Sequence, residues 1–378
     1  MRPPGSIVIA GESIAGVTAA RELRALGYTG SITIVGGDND GAYARPPLSK
    51  AVLHDPAAED TLQYRLDGAD VNVVREPAVA ADLDDRTVTT STGRIVGYDA
   101  LIAATGANAR RLAAPGQSGE LVLRTLADAR LLRTRLATAT SAIVIGAGFL
   151  GMEVATACVA RGIPVTVVDV DPPLQRILGP FLSAAVTARA EQHGVQVVQT
   201  PHFVTLAGDP VCGVVMVEGQ VLSADLVISC VGEIPNTAWL NGSGVADHLG
   251  IGIDDHCSTT VPGVYSAGDV AYRRFDGRRS PFWSNAVAQA KVAAASALGL
   301  PLRSTPTDDY FWTEILGLAI KIVGPLPVAG EPTVLEGSLA DGAALLRWDA
   351  GAARSTVVAY GIRKPVPRLR AMANTLSG

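Results

Sequence analysis

The chain reads as an α/β protein with two Rossmann-like dinucleotide-binding domains followed by a small α+β C-terminal domain. Three observations predict this. An apolar strand, a glycine turn, a helix with small residues on one face and a second strand ending near an acid occur at residues 6–38 and again at residues 142–169. Beyond residue 300 the composition shifts to short apolar runs broken by Gly and Pro. With 378 residues, 48% of them hydrophobic, the chain is too long for one core and long enough for two or three domains.

The first turn is Gly11-Glu12-Ser13-Ile14-Ala15-Gly16, which follows Ile7-Val8-Ile9 and opens a helix running through Leu26. Backbone amides at that helix start, together with the helix dipole, suit a pyrophosphate; Gly11 and Gly16 permit the tight turn and the close approach of strand and helix. Ser13 stands where the pattern usually has glycine. Asp38 lies roughly where an acid meets a ribose hydroxyl. The second turn, Gly146-Ala147-Gly148-Phe149-Leu150-Gly151, follows residues 142–145 and matches the full pattern, with Asp169 about 20 residues on. An acid there accepts from a free 2'-hydroxyl and repels a 2'-phosphate, so NADH is favoured over NADPH. Two such turns, only the second with its full glycine set, suggest one tightly held cofactor and one that exchanges, the plan of a flavin reductase.

Between the repeats, residues 87–92 and 98–104 read as strands rich in Val, Thr and Ile. After the second repeat, residues 195–198, 211–217 and 225–231 read as strands, and the Ala-rich residues 284–298 as a helix ended by Gly299 and Pro301.

A formal net charge of -5 argues against general nucleic-acid affinity, which needs a surplus of cations to displace counterions. The N-terminus lacks the basic and then apolar pattern of a signal peptide, and no apolar run reaches the roughly 18 residues of a membrane span, so a cytoplasmic enzyme without a membrane partner is expected. The four cysteines, Cys158, Cys212, Cys230 and Cys257, lie far apart and suggest neither a metal site nor a redox pair.

Tyr43-Ala44-Arg45-Pro46-Pro47-Leu48-Ser49-Lys50 is similar to the Tyr-x-Arg-Pro-Pro-Leu-Ser-Lys signature of oxygenase-coupled, NADH-dependent ferredoxin reductases. Further matches follow in order: Ala104-Thr105-Gly106-Ala107, Leu123-Arg124-Thr125-Leu126, residues 146–153, Val231-Gly232 and Gly263-Val264-Tyr265-Ser266-Ala267-Gly268-Asp269-Val270. Trp283-Ser284-Asn285-Ala286 and Phe311-Trp312-Thr313-Glu314 complete a resemblance that covers almost the whole chain.

The resemblance implies a glutathione reductase-like fold: a discontinuous FAD domain (1–107 and 235–300), an inserted NAD domain (108–234) and a C-terminal domain (301–378) that brings Trp312 to an interface or to the acceptor side. It implies FAD held by Gly11, Ser13, Ala15, Gly16, Asp38, Arg45, Lys50, Val79, Thr105, Gly106, Arg124, Asp269 and Trp283, and NADH held by Gly146, Gly148, Leu150, Gly151, Glu153, Asp169 and Gly232. Asp269 is implied to bond the ribityl chain, and the helix after Trp283 to point its N-terminus at the reduced flavin's anion. Lys50 is implied to lie beside the flavin N5 edge and pair with Glu153, giving the two catalytic candidates. The implied partner is an acidic iron-sulfur ferredoxin serving an oxygenase or cytochrome P450. Two clusters offer it a basic docking face: Arg273, Arg274, Arg278 and Arg279, or Arg363, Lys364, Arg368 and Arg370.

The chain departs from the family at Ala44, where Asp is usual, and at Pro281-Phe282, where Glu-His is common. Related disulfide reductases, peroxidases and coenzyme A disulfide reductases carry cysteine beside the flavin. This chain has none between Val35 and Leu66, so a thiol relay is not expected and electrons must pass directly to an outside acceptor. Alternatives are a reductase or oxidase delivering to oxygen, a quinone or a small substrate, and a flavin-bound redox sensor without turnover.

Overall fold

In a computed structural model the described residues are 4–303, 305–349 and 354–374. Residues 1–3, part of the N-terminal reading, and 375–378, the end of the expected C-terminal domain, lie outside them. The chain forms two compact units, one from Met1–Ala44, Asp60–Asn108 and Glu233–Asp308, the other from Arg45–Glu59, Ala109–Gly232 and Asp309–Gly378.

The first unit is built on a parallel sheet in the order Val264–Ser266, Ala100–Ala103, Ser6–Ala10, Ser31–Val35, Asn72–Val74. Its central strand alternates between two cores. Ile7 and Ile9 pack with Ala19, Ala20 and Leu23 of the helix Ile14–Ala25 and with Ala290, Ala293 and Ala294 of the helix Trp283–Ala297. Val8 and Ala10 pack on the other face with Val88, Leu101, Trp239 and Leu240. Burial on both faces is what a near-continuous apolar strand of a parallel sheet requires. The run of alanines in Trp283–Ala297 lets that helix approach Ile14–Ala25 closely, as small interfacial side chains do. A three-stranded antiparallel sheet of Ala78–Asp82, Thr87–Thr90 and Ile95–Gly97 adds to the second core.

The second unit carries a parallel sheet in the order Gln196–Gln199, Val165–Asp169, Ala142–Ile145, Leu226–Ser229. Ile143, Ile145, Val168 and Val227 pack against Val214 of the antiparallel sheet Thr205–Gly208, Val211–Val215, Val221–Ser223. The strand expected over 211–217 stops at Val215, and Val217–Gly219 forms a single 3-10 turn leading to the next strand.

A five-stranded sheet runs Tyr310–Ile315, Leu318–Val323, Thr356–Tyr360, Ala343–Trp348, Thr333–Ser338, all antiparallel. Its first hairpin turns on Leu316 and Gly317, both at positive φ (49° and 72°), the two-residue turn whose twist matches the strands. The helix Val366–Asn374 covers one face through Leu369 and Ala373.

Two segments group differently from the expected domain ranges. Residues 45–59 pack in the second unit because the helix Leu126–Leu136 holds them: Arg133 donates to Val52 O at 2.9 Å, and Arg130 and Arg133 each meet Glu59 at 2.8 Å. The C-terminal sheet joins the same unit through a Phe149–Phe311 ring contact at 3.9 Å and a bond from Leu316 N to Thr156 Oγ1 at 3.0 Å. Among the described residues no helix is long and apolar enough to cross a membrane.

Candidate active site

Both glycine turns have the geometry their sequences call for. In the second unit Gly146 has φ +102°, and a Cβ there would stand 2.3 Å from Cys230 O; one on Gly151 would stand 1.9 Å from Gly146 O. These two positions admit only glycine because backbone packs against them. A Cβ on Gly148 would meet nothing within 4 Å, so the space beside it is open at the start of the helix Phe149–Val159, where Leu150 lies in the first turn. A helix start with open space beside its second glycine suits a diphosphate. Gly232, at φ +96°, is likewise open. Asp169 ends its strand with Oδ2 accepting from Ala147 N at 2.6 Å and Oδ1 from Val170 N at 2.6 Å. Arg176 reaches Asp169 at 3.1 Å and also bonds Asp171, a cation the sequence reading did not foresee.

The first unit repeats the turn. A Cβ on Gly11 would lie 2.1 Å from Ala104 O and one on Gly16 1.9 Å from Gly11 O. Ser13 is the N-cap residue of Ile14–Ala25, in extended conformation, and its side chain does not cap the helix. Gly268 faces Ala15, 3.1 Å from a would-be Cβ, and is held by Gln289 Oε1 at 2.8 Å, so Asp269 follows a loop fixed against this turn. Arg279 donates to Asp269 O at 2.7 Å. Thr105 Oγ1 donates to Asn236 O at 2.7 Å, and Gly106 O accepts from Asn236 N at 2.9 Å. Trp283 begins its helix, with Nε1 donating to Tyr64 OH at 3.0 Å; Val79 is half exposed on Ala78–Asp82. The glycine cradles and these loops therefore fit two dinucleotides, one in each unit.

The residues expected around FAD divide between the units: Arg45, Lys50 and Arg124 belong to the second and the remainder to the first. Within the second unit Arg45 Nη1 donates to Arg124 O at 2.7 Å. Lys50 meets Glu153 at 2.9 Å and also donates to Pro46 O at 3.2 Å. Glu153 lies on the helix that opens at the NAD turn and is buried. Its carboxylate takes two more donors, Ser49 Oγ and, at 2.6 Å, Thr313 Oγ1. A buried carboxylate persists only when it is so paired. Ser49 and Thr313 were missed as partners of this group. Both stood inside motifs that carry the resemblance, Ser49 in residues 43–50 and Thr313 in Phe311-Trp312-Thr313-Glu314, but neither motif by itself names Glu153 as the partner.

The cysteines have no disulfide among them. Burial pushes the thiols of Cys158 and Cys230 up to about 12, which keeps them protonated and unreactive near neutral pH. The first basic cluster is largely compensated: Arg273 pairs with Asp276, Arg274 with Asp254 at 3.4 Å, and Arg279 with Glu233. In the second, Lys364 pairs with Glu336 at 2.6 Å and Arg370 lies over the Tyr310 ring.

Comparison with known proteins agrees with this geometry. The family model described as pyridine nucleotide-disulphide oxidoreductase matches residues 5–290. The chain is 33% identical over 340 residues to a rubredoxin-NAD(+) reductase of Ectopseudomonas oleovorans, covering 85% of this chain and 87% of that one. It is 35% identical over 341 residues to the biphenyl dioxygenase system ferredoxin–NAD(+) reductase component of Paraburkholderia xenovorans (strain LB400), covering 87% and 83%. Among solved structures it is similar to the ferredoxin reductase for the CYP199A2 system from Rhodopseudomonas palustris, with a TM-score of 0.87, 29% identity and coverage of 94% and 91%. With that extent of match, the two glycine turns and the α/β architecture in agreement, the chain belongs to the pyridine nucleotide-disulphide oxidoreductase family.

Proposed function

We propose that this protein is a cytoplasmic, FAD-dependent NADH:ferredoxin reductase that delivers electrons to an acidic iron-sulfur protein serving an oxygenase or cytochrome P450. The observation that carries the reading is the Lys50–Glu153 pair, its buried carboxylate on the helix that opens at the intact NAD turn and braced by Ser49 and Thr313. FAD, held there, would supply the redox chemistry: acceptance of a hydride from NADH and release of its two electrons one at a time.

The chain's own residues bind and orient. Gly146, Gly148 and Gly151, with Leu150 in the helix's first turn, leave amides and space for the NADH diphosphate, and Asp169 accepts from its ribose. Gly232 leaves the opposite loop open. Gly11, Ser13, Ala15 and Gly16 do the same for FAD, and Thr105, Gly106, Val79, Asp269 and Trp283 lie with them in the first unit. Lys50 presents a fixed cation, and Glu153 holds that ammonium in place and bounds the nicotinamide pocket. Hydride transfer is chiefly a matter of such orientation. The raised thiols of Cys158 and Cys230 support direct delivery of electrons rather than a thiol relay.

The test is steady-state oxidation of NADH by the FAD-loaded protein, with and without a two-iron ferredoxin coupled to cytochrome c, across a salt series. Strong stimulation by ferredoxin that fades as salt rises is expected. Rapid NADH consumption without any ferredoxin stimulation refutes the proposal and points to oxygen, a quinone or a small molecule as acceptor.

A further inference from the structure

The two glycine turns can be compared residue by residue, because the same bond anchors each: Gly11 N donates to Val35 O and Gly146 N to Val168 O, both at 2.8 Å. The residue after the acceptor is Asp169 in the second unit and Gly36 in the first. In the second unit the acid thus stands at the strand end and is held by the amide of the turn's second residue, Ala147.

In the first unit this arrangement is reversed. The turn's second residue is itself an acid, Glu12, only 6% exposed. Its Oε1 accepts from Asp38 N, just past the strand end, at 3.2 Å. A Cβ built on Gly36 would lie 2.4 Å from Glu12 Cδ and 2.7 Å from Oε1. The Glu12 side chain therefore fills the space beside the strand end into which a side chain at Gly36 would project. Gly36 lies outside the left-handed region, so the backbone does not require glycine there; the Glu12 carboxylate does. Arg75, 3.7 Å away and largely exposed, balances the charge. Sequence spacing gave the ribose role to Asp38, but that carboxylate is committed to its own loop, accepting from Tyr43 OH at 2.7 Å and Asp40 N at 3.1 Å.

We infer that Glu12, reaching out of the glycine turn, is the acid that accepts the adenosine ribose hydroxyl of FAD, in the place where a strand-end acid does so in the second unit. The inference rests on the FAD reading proposed above. It makes Glu12 and Gly36 a matched pair: an acid in the turn needs glycine at the strand end, and an acid at the strand end needs a small residue in the turn, as Asp169 and Ala147 show.

The experiment is titration of reversibly stripped protein with FAD and with an FAD analogue lacking the adenosine 2'-hydroxyl, read by flavin fluorescence, with thermal unfolding as a check on folding. Wild type should bind FAD about tenfold more tightly than the deoxy analogue, the scale of one hydrogen bond to a charged acceptor. E12A should bind the two within about threefold of each other, D38N should keep the wild-type ratio, and E12A/G36D should recover it by rebuilding the strand-end acid. An unchanged ratio in folded E12A, or its loss in D38N, overturns the inference while leaving the FAD reading intact. Absence of FAD binding by wild type overturns both. Should E12A fail to fold, D38N alone still decides, since its ratio either persists or collapses.

Discussion

Replacing Lys50 with Met removes the cation from the buried Glu153 carboxylate, and the cost can be worked from the site. The charges are 2.9 Å apart, with side-chain exposures of 17% and 6% for Lys50 and Glu153. At an effective dielectric near 20 their attraction is about 6 kcal/mol before desolvation is counted. Breaking a buried pair by removing one partner costs about 3–5 kcal/mol. The lower end applies, because Ser49 and Thr313 still donate to the carboxylate. In E153Q the ammonium keeps Pro46 O and some access to water, so that variant should lose only about 1–2 kcal/mol. K50M/E153Q leaves no bare charge and should lose less than the sum, giving a coupling of about 2 kcal/mol. The assay is hydrogen exchange of the amides of Phe149–Val159, whose protection reports local opening. K50M should exchange about a hundredfold faster there, since each 1.4 kcal/mol is a factor of about ten. A coupling below about 0.5 kcal/mol would refute the claim that the pair is a buried, energetically linked unit.

The two glycines of the NAD turn should fail in different ways. G148A should fold normally and raise the Michaelis constant for NADH at least about tenfold, because its methyl enters open space that the diphosphate needs; G146A should instead lose about 3 kcal/mol or more of stability, since its methyl meets Cys230 O. D169N should narrow the preference for NADH over NADPH about tenfold in kcat/KM, with Arg176 left to attract a 2'-phosphate; an unchanged ratio would remove Asp169 from the ribose site. At acid pH, Asp99 should contribute. Bonds from Ser6, through its backbone amide and hydroxyl, and from Gly5 N hold its carboxyl below the usual range. A depressed folded pKa means the stabilisation is complete above about pH 4 and is lost as pH falls through the folded value. D99N should therefore have a flatter acid limb in a series of thermal midpoints below pH 4, and the two proteins' curves should converge at the lowest pH.

What the sequence determined by itself was whatever depends on neighbours along the chain. The two strand–turn–helix repeats, strands within residues 87–92 and 195–198, and a helix over residues 284–298 were legible, each to within a residue or two, because strand period, helix period and glycine turns are local properties. The Lys50–Glu153 pairing came from resemblance to a family, since no periodicity joins residues so far apart. Only the tertiary structure decided that Ser49 and Thr313 complete the carboxylate's shell, that residues 45–59 pack with the second unit, and that acids already partner Arg273, Arg274 and Arg279. It also decided that Glu12 lies against Gly36 and that Asp38 accepts from Tyr43. The physical reason is the same in each case: a side chain's partners are fixed by which strands lie side by side and which helix crosses them, and parallel pairing brings together residues that no local pattern connects.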